Sequence, residues 1–312
     1  MGFVILCPTF IMNQNNNPEL ANKISMMIIG AQKAGTTSMK NYLGQHPCLE
    51  TPSHKEFAYF IDPEQYKNDF ANAKKKYFRN KLTAVQLMAK NAGLYVNEAG
   101  IARLKEHNPE CKLVFILRNP VERTYSSFLM EINYGAIDSP FESIESVLKQ
   151  KDIKDWRYEL LIGMSIYHLH LKMIYKYFSP EQVKLIRYED FDADATKICL
   201  DIFNWLGVGE TFIPDTSKRF NETTITRSSR YGKFILHILR NQSPVKKAVR
   251  KILPGKMDYK VGELLRNVNK RSKTYDPISE KMEHLLIDFF TAHNNELSKL
   301  TGMDFSDWNE KK

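Results

Sequence analysis

Apolar residues in this chain fall into two kinds of run. Short, nearly unbroken runs occur at Ile24-Ser25-Met26-Met27-Ile28-Ile29, at Lys112-Leu113-Val114-Phe115-Ile116-Leu117 and at Val183-Lys184-Leu185-Ile186-Arg187-Tyr188. Runs of this kind suit parallel strands covered on both faces. A further short strand is predicted over 49–53. Longer stretches place apolar residues at helical spacing and predict helices over 36–45, 101–107, 140–149, 160–178, 195–206 and 278–300. Asn119 followed by Pro120 predicts another helix start, because an Asn side chain caps the first turn and proline fits the first helical position. Between Pro63 and Ala92, scattered apolar residues such as Tyr77, Phe78, Leu82, Val85 and Leu87 predict helices joined by loops. Strands alternating with helices predict an α/β fold built on a parallel sheet. Residues 1–22 read as a flexible lead-in and 23–312 as a single domain, with no internal repeat.

The segment between the first strand and the first helix carries the sharpest chemical signal. Gly30-Ala31-Gln32-Lys33-Ala34-Gly35-Thr36-Thr37-Ser38 is a Gly-containing turn that opens a helix. In such a turn, backbone N–H groups and the positive helix end converge on an anion, and glycine permits close approach. It is not a Walker A loop, in which Lys follows the last Gly. Here Thr36 follows Gly35, the lysine stands two residues before Gly35, and three hydroxyl residues come in succession. The plain alternative is a structural turn with an exposed lysine.

The displaced lysine resembles the 5′-phosphosulfate loop of sulfotransferases that use 3′-phosphoadenosine 5′-phosphosulfate (PAPS). Two further segments are similar to motifs of that family. Arg118-Asn119-Pro120-Val121-Glu122-Arg123-Thr124-Tyr125-Ser126 follows a strand in the manner of its 3′-phosphate motif. Lys55-Glu56-Phe57-Ala58-Tyr59-Phe60 resembles a stretch of the glycosaminoglycan-type branch and its bacterial relatives. The resemblance runs from about Lys23 to Trp308. It implies a three-layer α/β/α architecture with a central parallel sheet, the P-loop-NTPase-like sulfotransferase fold. It implies PAPS as donor, 3′-phosphoadenosine 5′-phosphate (PAP) as product, and no metal. Lys33 would then serve the leaving group, while Gln32, Ala34, Gly35, Thr36, Thr37 and Ser38 cradle the 5′-phosphate. Arg118 and Ser126 would hold the 3′-phosphate. Arg123 also fits the motif, but its spacing equally suits a surface ion pair. Glu56 would be the general base, with Lys55 beside it. His54 is the competing base, by likeness to the cytosolic branch, and His46 comes after it. Arg271-Ser272-Lys273 would be the basic loop over the 3′-phosphate and adenine, although the glycine usual in that loop is absent. The family's Glu-Lys-x-Pro-like stretch before Tyr95 is not recognisable, and its Gly-x-Tyr reads Ser165-Ile166-Tyr167. Both departures point to an acceptor unlike that of typical members.

Composition narrows the setting. The chain has 312 residues, 43% hydrophobic and 26% charged, which suits a globular protein. No run of about eighteen apolar residues predicts a membrane-spanning helix, and the opening residues lack the basic start and cleavage site of a signal peptide. Four separated cysteines, Cys7, Cys48, Cys111 and Cys199, form no Cys-x-x-Cys pair and read as reduced thiols of a cytoplasmic protein. The net charge is +9. Between Arg240 and Tyr275, eleven Lys/Arg face two acids, Asp258 and Glu263, so this stretch carries the whole surplus. It reads as a basic insertion over about 240–275, either a solvated surface segment or a contact for a polyanion. A nucleic-acid role lacks any accompanying motif, and a kinase role lacks the lysine after Gly35. The expected acceptor is a hydroxyl or amine of a small polar specialised metabolite, with a carbohydrate or glycolipid as the alternative.

Overall fold

A computed structural model describes residues 22–79, 86–150, 155–209, 211–218, 220, 225–226, 270–271 and 277–311. Five strands form one sheet: β1 (Ile24–Gly30), β2 (Leu49–Glu50), β3 (Gln86–Lys90), β4 (Lys112–Leu117) and β5 (Val183–Arg187). They lie in the order β2-β3-β1-β4-β5, and every neighbouring pair is parallel. The chain runs from β1 to the β2 edge, returns through β3, and crosses to β4 and β5 on the other side of β1. The carboxyl ends of β3, β1 and β4 therefore adjoin, which is where open α/β sheets place their ligands.

Helices follow the strands: α1 (Thr36–Leu43), α2 (Pro63–Tyr66), α3 (Phe70–Tyr77), α4 (Glu98–His107), α5 (Pro120–Tyr134), α6 (Ile144–Gln150), α7 (Tyr167–Ile174), α8 (Tyr188–Ala193), α9 (Ala195–Leu206) and α10 (Glu280–Thr301). Leu113, Val114, Phe115, Ile116 and Leu117 are all fully buried. Successive strand residues point to opposite faces, so helices must cover both sides of β4, as a three-layer α/β/α fold requires. On one face the Phe115 ring packs against Tyr95 and Tyr167, with centroids 4.8 and 5.9 Å away.

The chain divides into two compact units. The first holds the five-stranded sheet and comprises Met1–Asn119, Ile166–Asn221 and His293–Phe305. The second comprises Pro120–Ser165, Glu222–Ala292 and Ser306–Lys312, and includes α5, α6 and a short antiparallel pair, β6 (Ile225–Thr226) with β7 (Lys270–Arg271). Within the second unit Arg123 is wholly buried. It donates to the carbonyls of Leu161 at 3.0 Å and Leu160 at 2.9 Å, and to Ser165 Oγ at 3.0 Å. It is a structural staple, not an exposed ion-pairing residue.

Three expectations are corrected. The stretch read as helices and loops up to Ala92 ends in β3, an interior strand of the sheet. The single helix expected over 160–178 is broken: a π turn (Tyr158–Ile162) and a 3₁₀ turn (Gly163–Ser165) precede α7. Thr124 Oγ1 also donates to the Leu161 carbonyl, so Arg123 and Thr124 draw carbonyls away from a regular i→i+4 ladder. Cys48 is disulfide-bonded rather than reduced, while Cys111 and Cys199 are free and buried; Cys7 lies outside the described residues. Among the described residues no helix is long and apolar enough to cross a membrane. Most of the basic 240–275 stretch, Ser272 and Lys273 included, lies outside the described residues, and Arg271 enters only through its backbone pairing with Ile225.

Candidate active site

The site is built at the carboxyl end of β1. The Gly30–Ala31 turn leaves the strand and is tied to β4 by Ala31 N–H donating to the Ile116 carbonyl at 2.8 Å. Gly30 has no room for a side chain: a Cβ there would come within 2.3 Å of the Tyr95 ring. Lys33 and Gly35 both take left-handed backbone angles, φ 74° and 76°. That conformation is rare for lysine and natural for glycine, so the turn holds Lys33 in an uncommon geometry at its apex. At Gly35 a Cβ would also meet Phe191 Cε1 at 3.0 Å and Tyr188 Cε2 at 3.2 Å. Gly35 is the N-cap of α1 and supplies no capping side chain. The first-turn N–H groups of α1 therefore face the loop without the usual capping oxygen, a geometry that suits an anion.

Arg118 stands directly after β4 and turns toward this loop. Its Nη1 donates to the Lys33 carbonyl at 3.0 Å, its guanidinium lies 4.9 Å from the centroid of the Tyr188 ring, and its own carbonyl accepts from Tyr167 Oη at 2.9 Å. Arg118, the predicted 3′-phosphate cation, thus bonds the backbone of the turn that carries Lys33. Ser126 is buried on α5 in the second unit. The Ser38 hydroxyl both accepts from Phe220 N–H at 3.1 Å and donates to the Phe220 carbonyl at 3.2 Å, so that hydroxyl tethers a neighbouring segment rather than facing the loop. Gln32, Lys33, Gly35 and Thr37 are half-buried, whereas Ala34 and Thr36 are buried.

Glu56 joins the loop through a residue that motif reading missed. Lys90, the last residue of β3, is 1% exposed; its Nζ donates to Glu56 Oε1 at 2.6 Å and to Thr37 Oγ1 at 3.3 Å. Glu56 Oε2 accepts from Ala92 N–H at 3.0 Å, and the side chain remains 41% exposed. Both carboxylate oxygens are oriented while the group stays open to an incoming molecule. Lys90 links the base candidate to the turn after β1. A signal for it existed in the sequence, a lysine ending an apolar stretch just before Asn91, but only the assignment of β3 gives it meaning.

The histidines behave differently. His54 is partly exposed; its ring packs edge-on against Tyr77 with centroids 4.9 Å apart, and its Nδ1 lies 3.3 Å from Ser53 Oγ. His46 is buried and accepts from Cys48 N–H at 3.1 Å through Nδ1, a structural bond. Lys55 is exposed beside Glu56. A second missed lysine, Lys40 on α1, is buried and donates to the carbonyls of Pro52 and His54, each at 2.6 Å. Burial, and then the neighbouring Lys90, lower its pKa to about 8, with Glu56 opposing the shift. Among the described residues no group of three or more His, Cys, Asp or Glu could hold a metal ion.

A Gly-containing turn at the carboxyl end of β1, an arginine after β4 bonded to it, and an oriented carboxylate linked to it suit a group-transfer enzyme of the P-loop-like α/β class. The sequence matches the sulfotransferase domain over residues 23–234, and the chain belongs to that family of PAPS-dependent enzymes. It is 26% identical over 230 residues to the bifunctional heparan sulfate N-deacetylase/N-sulfotransferase 1 of Caenorhabditis briggsae, covering 70% of this chain and 26% of that one. It is 22% identical over 199 residues to the mouse heparan sulfate glucosamine 3-O-sulfotransferase 3B1, covering 63% and 49%. The chain thus spans a quarter to a half of the length of these relatives. The crystal structure of a sulfotransferase from Alicyclobacillus acidocaldarius shares the fold, with a TM-score of 0.61 and 20% identity over 92% of this chain and 99% of that one.

Proposed function

We propose that this enzyme transfers the sulfuryl group of PAPS to a hydroxyl or amine of a carbohydrate-type acceptor. The observation that carries the reaction is the continuous hydrogen-bonded line from Glu56 through Lys90 to Thr37 of the phosphate turn. It ties a partly open carboxylate to the turn that ends in the first-turn donors of α1. The named substrates of the heparan sulfate relatives support a carbohydrate over the small metabolite expected from the sequence.

The donor supplies a sulfuryl group on an anhydride oxygen of its 5′-phosphate. The backbone N–H groups after Gly35 and the Thr36 and Thr37 hydroxyls are suited to that phosphate, and Arg118 to the 3′-phosphate. Glu56 accepts the acceptor's proton as its oxygen or nitrogen bonds to sulfur. The bond from sulfur to the bridging oxygen breaks, and Lys33 donates to that oxygen as its charge grows. Such a bond strengthens in the transition state and so raises turnover rather than affinity.

The reading is tested by thermal unfolding with PAP and with AMP. A ligand of the native state at a hundredfold excess over Kd adds about 2.7 kcal/mol of stability. PAP should raise the melting temperature and AMP, which lacks the 3′-phosphate, should raise it far less. Equal shifts would remove Arg118 from its role. Transfer of labelled sulfuryl groups to desulfated heparan oligosaccharides, set against phenolic and amine metabolites, then decides the acceptor class.

A further inference from the structure

The buried ammonium of Lys40 has no task in the scheme above. It lies on α1, within a turn and a half of the phosphate loop, yet it points to neither the loop nor a carboxylate: the hydrogen bonds it donates go to the carbonyls of Pro52 and His54. Those two residues belong to the short loop that leaves β2 and delivers Glu56. A buried lysine held only by backbone carbonyls, with the like charge of Lys90 nearby, is costly to fold. A methionine would fill the same space without the buried charge but would give up both carbonyl bonds, so what the ammonium adds beyond apolar packing is the tie to Pro52 and His54.

We propose that Lys40 is a positioning residue for catalysis: by clamping the Pro52 and His54 carbonyls to α1, it fixes the distance between the Glu56 carboxylate and the phosphate turn. The inference rests on Glu56 acting as the base. Glu56 is anchored from one side by Lys90 of β3 and by Ala92 N–H. Its backbone is anchored from the other side by Lys40, through a carbonyl two residues earlier. Both anchors lead back to α1, Lys90 through Thr37 and Lys40 directly. The base and the sulfur-bearing site are thereby referred to one rigid element. A displacement of about 1 Å at a reacting group can cost on the order of a hundredfold in rate.

The charged and titratable groups facing Lys40 are Lys90 from β3 and Glu56 from the clamped loop, with the His54 ring on the residue whose carbonyl it holds and Tyr77 of α3 against that ring. The ammonium's lowered pKa, about 8, means that it loses its proton within the range where activity is measured. The neutral amine is a weaker donor to both carbonyls, so the clamp loosens as pH rises through that value.

The test compares Lys40→Met, Lys40→Arg and Glu56→Gln. Turnover is measured with labelled PAPS in two assays: transfer to a desulfated heparan oligosaccharide, and hydrolysis to PAP with water as acceptor. Melting shifts with PAP report the donor site. Lys40→Met should lose tenfold or more in kcat while its PAP shift and donor KM stay near those of the parent. Lys40→Arg, which keeps a charged donor, should recover most of that rate. The parent's kcat should fall above about pH 8, and this limb should vanish in Lys40→Arg, because guanidinium does not titrate there. A Lys40→Met enzyme at the parental rate, or an alkaline limb unchanged in Lys40→Arg, overturns the proposal. So does a Lys40→Met variant that loses PAP binding along with kcat. Should Lys40→Met fail to fold, Lys40→Arg and the pH profile decide alone. Glu56→Gln separates the two readings: if it remains active, the base assignment has failed. If it is dead while Lys40→Met is unimpaired, only the clamp has failed.

Discussion

Lys33, Glu56 and His54 can be told apart by what each would change. Lys33 sits at the apex of the turn with its carbonyl held by Arg118, so Lys33→Ala should leave the loop standing and lower kcat, with donor affinity little altered. Glu56→Gln keeps size and hydrogen bonding but cannot accept a proton. Removal of a positioned base typically costs about 10²–10⁴-fold in rate, and the variant should show a loss in that range with an unchanged PAP melting shift. His54→Ala should be mild, since the ring packs on Tyr77 at the edge of the loop and it is the His54 carbonyl that Lys40 holds. The opposite pattern, with Glu56→Gln active and His54→Ala dead, would transfer the base to His54. Resemblance to the family's local motifs brought Lys33, Arg118 and Glu56 into view, because in each the chemistry is carried by a short stretch of sequence. Lys40 and Lys90 stayed hidden. Their meaning comes from burial and from partners far along the chain, and a lysine in a polar sequence reads as solvated until its surroundings are known.

Among the elements, β4 and α9 lie where periodicity places them, and β3 does not. Gln86-Leu87-Met88-Ala89-Lys90 contains good helix formers and no β-branched residue, so local preference argues against a strand. Its conformation is imposed by the hydrogen bonds of β1 on one side and β2 on the other. The break before α7 was hidden for the same reason, since the carbonyls of Leu160 and Leu161 are claimed by side chains about 37 residues earlier in sequence. One contact between elements makes a pH-dependent prediction. The start of β1 is clasped by the end of α4: His107 Nε2 accepts from Ile24 N–H at 3.0 Å, and Asn108 donates to the Ile24 carbonyl at 3.0 Å. The bond requires a neutral ring, and burial, with Lys23 nearby, lowers the His107 pKa to about 4. In the unfolded chain an ordinary histidine titrates near 6.5. The unfolded state therefore binds the proton first as pH falls. The stabilisation is complete above about pH 6.5 and is lost progressively down to about 4, with an upper bound of about 3 kcal/mol. Denaturant unfolding at pH 7.5 and pH 4.5 should show a drop in stability that His107→Gln reduces. An equal drop in the variant would assign the acid sensitivity elsewhere.

At the scale of the whole chain, the first unit is assembled from three separated stretches, the last of them His293–Phe305. That stretch is firmly embedded. His168 Nε2 and His293 Nδ1 lie 3.0 Å apart, Arg187 donates to the Asp304 carbonyl at 3.0 Å, and Asn294, Leu297 and Phe305 are buried. A chain stopped after residue 292 should lose the PAP melting shift and cooperative unfolding, although every residue assigned to the phosphate turn and the base is present; a truncated chain that still binds PAP would show this stretch to be dispensable. The same threading bears on how the protein is made. Ribosomes add roughly 5–20 residues per second, so on the order of fifteen to fifty seconds separate emergence of the Gly35 turn from that of Phe305. Over that interval the turn after β1, and from the emergence of β5 the whole sheet, lack the closing stretch that packs against them. The nascent chain must keep an unfinished apolar surface from aggregating until the His293–Phe305 stretch has emerged, a demand set by the order of the three stretches along the sequence.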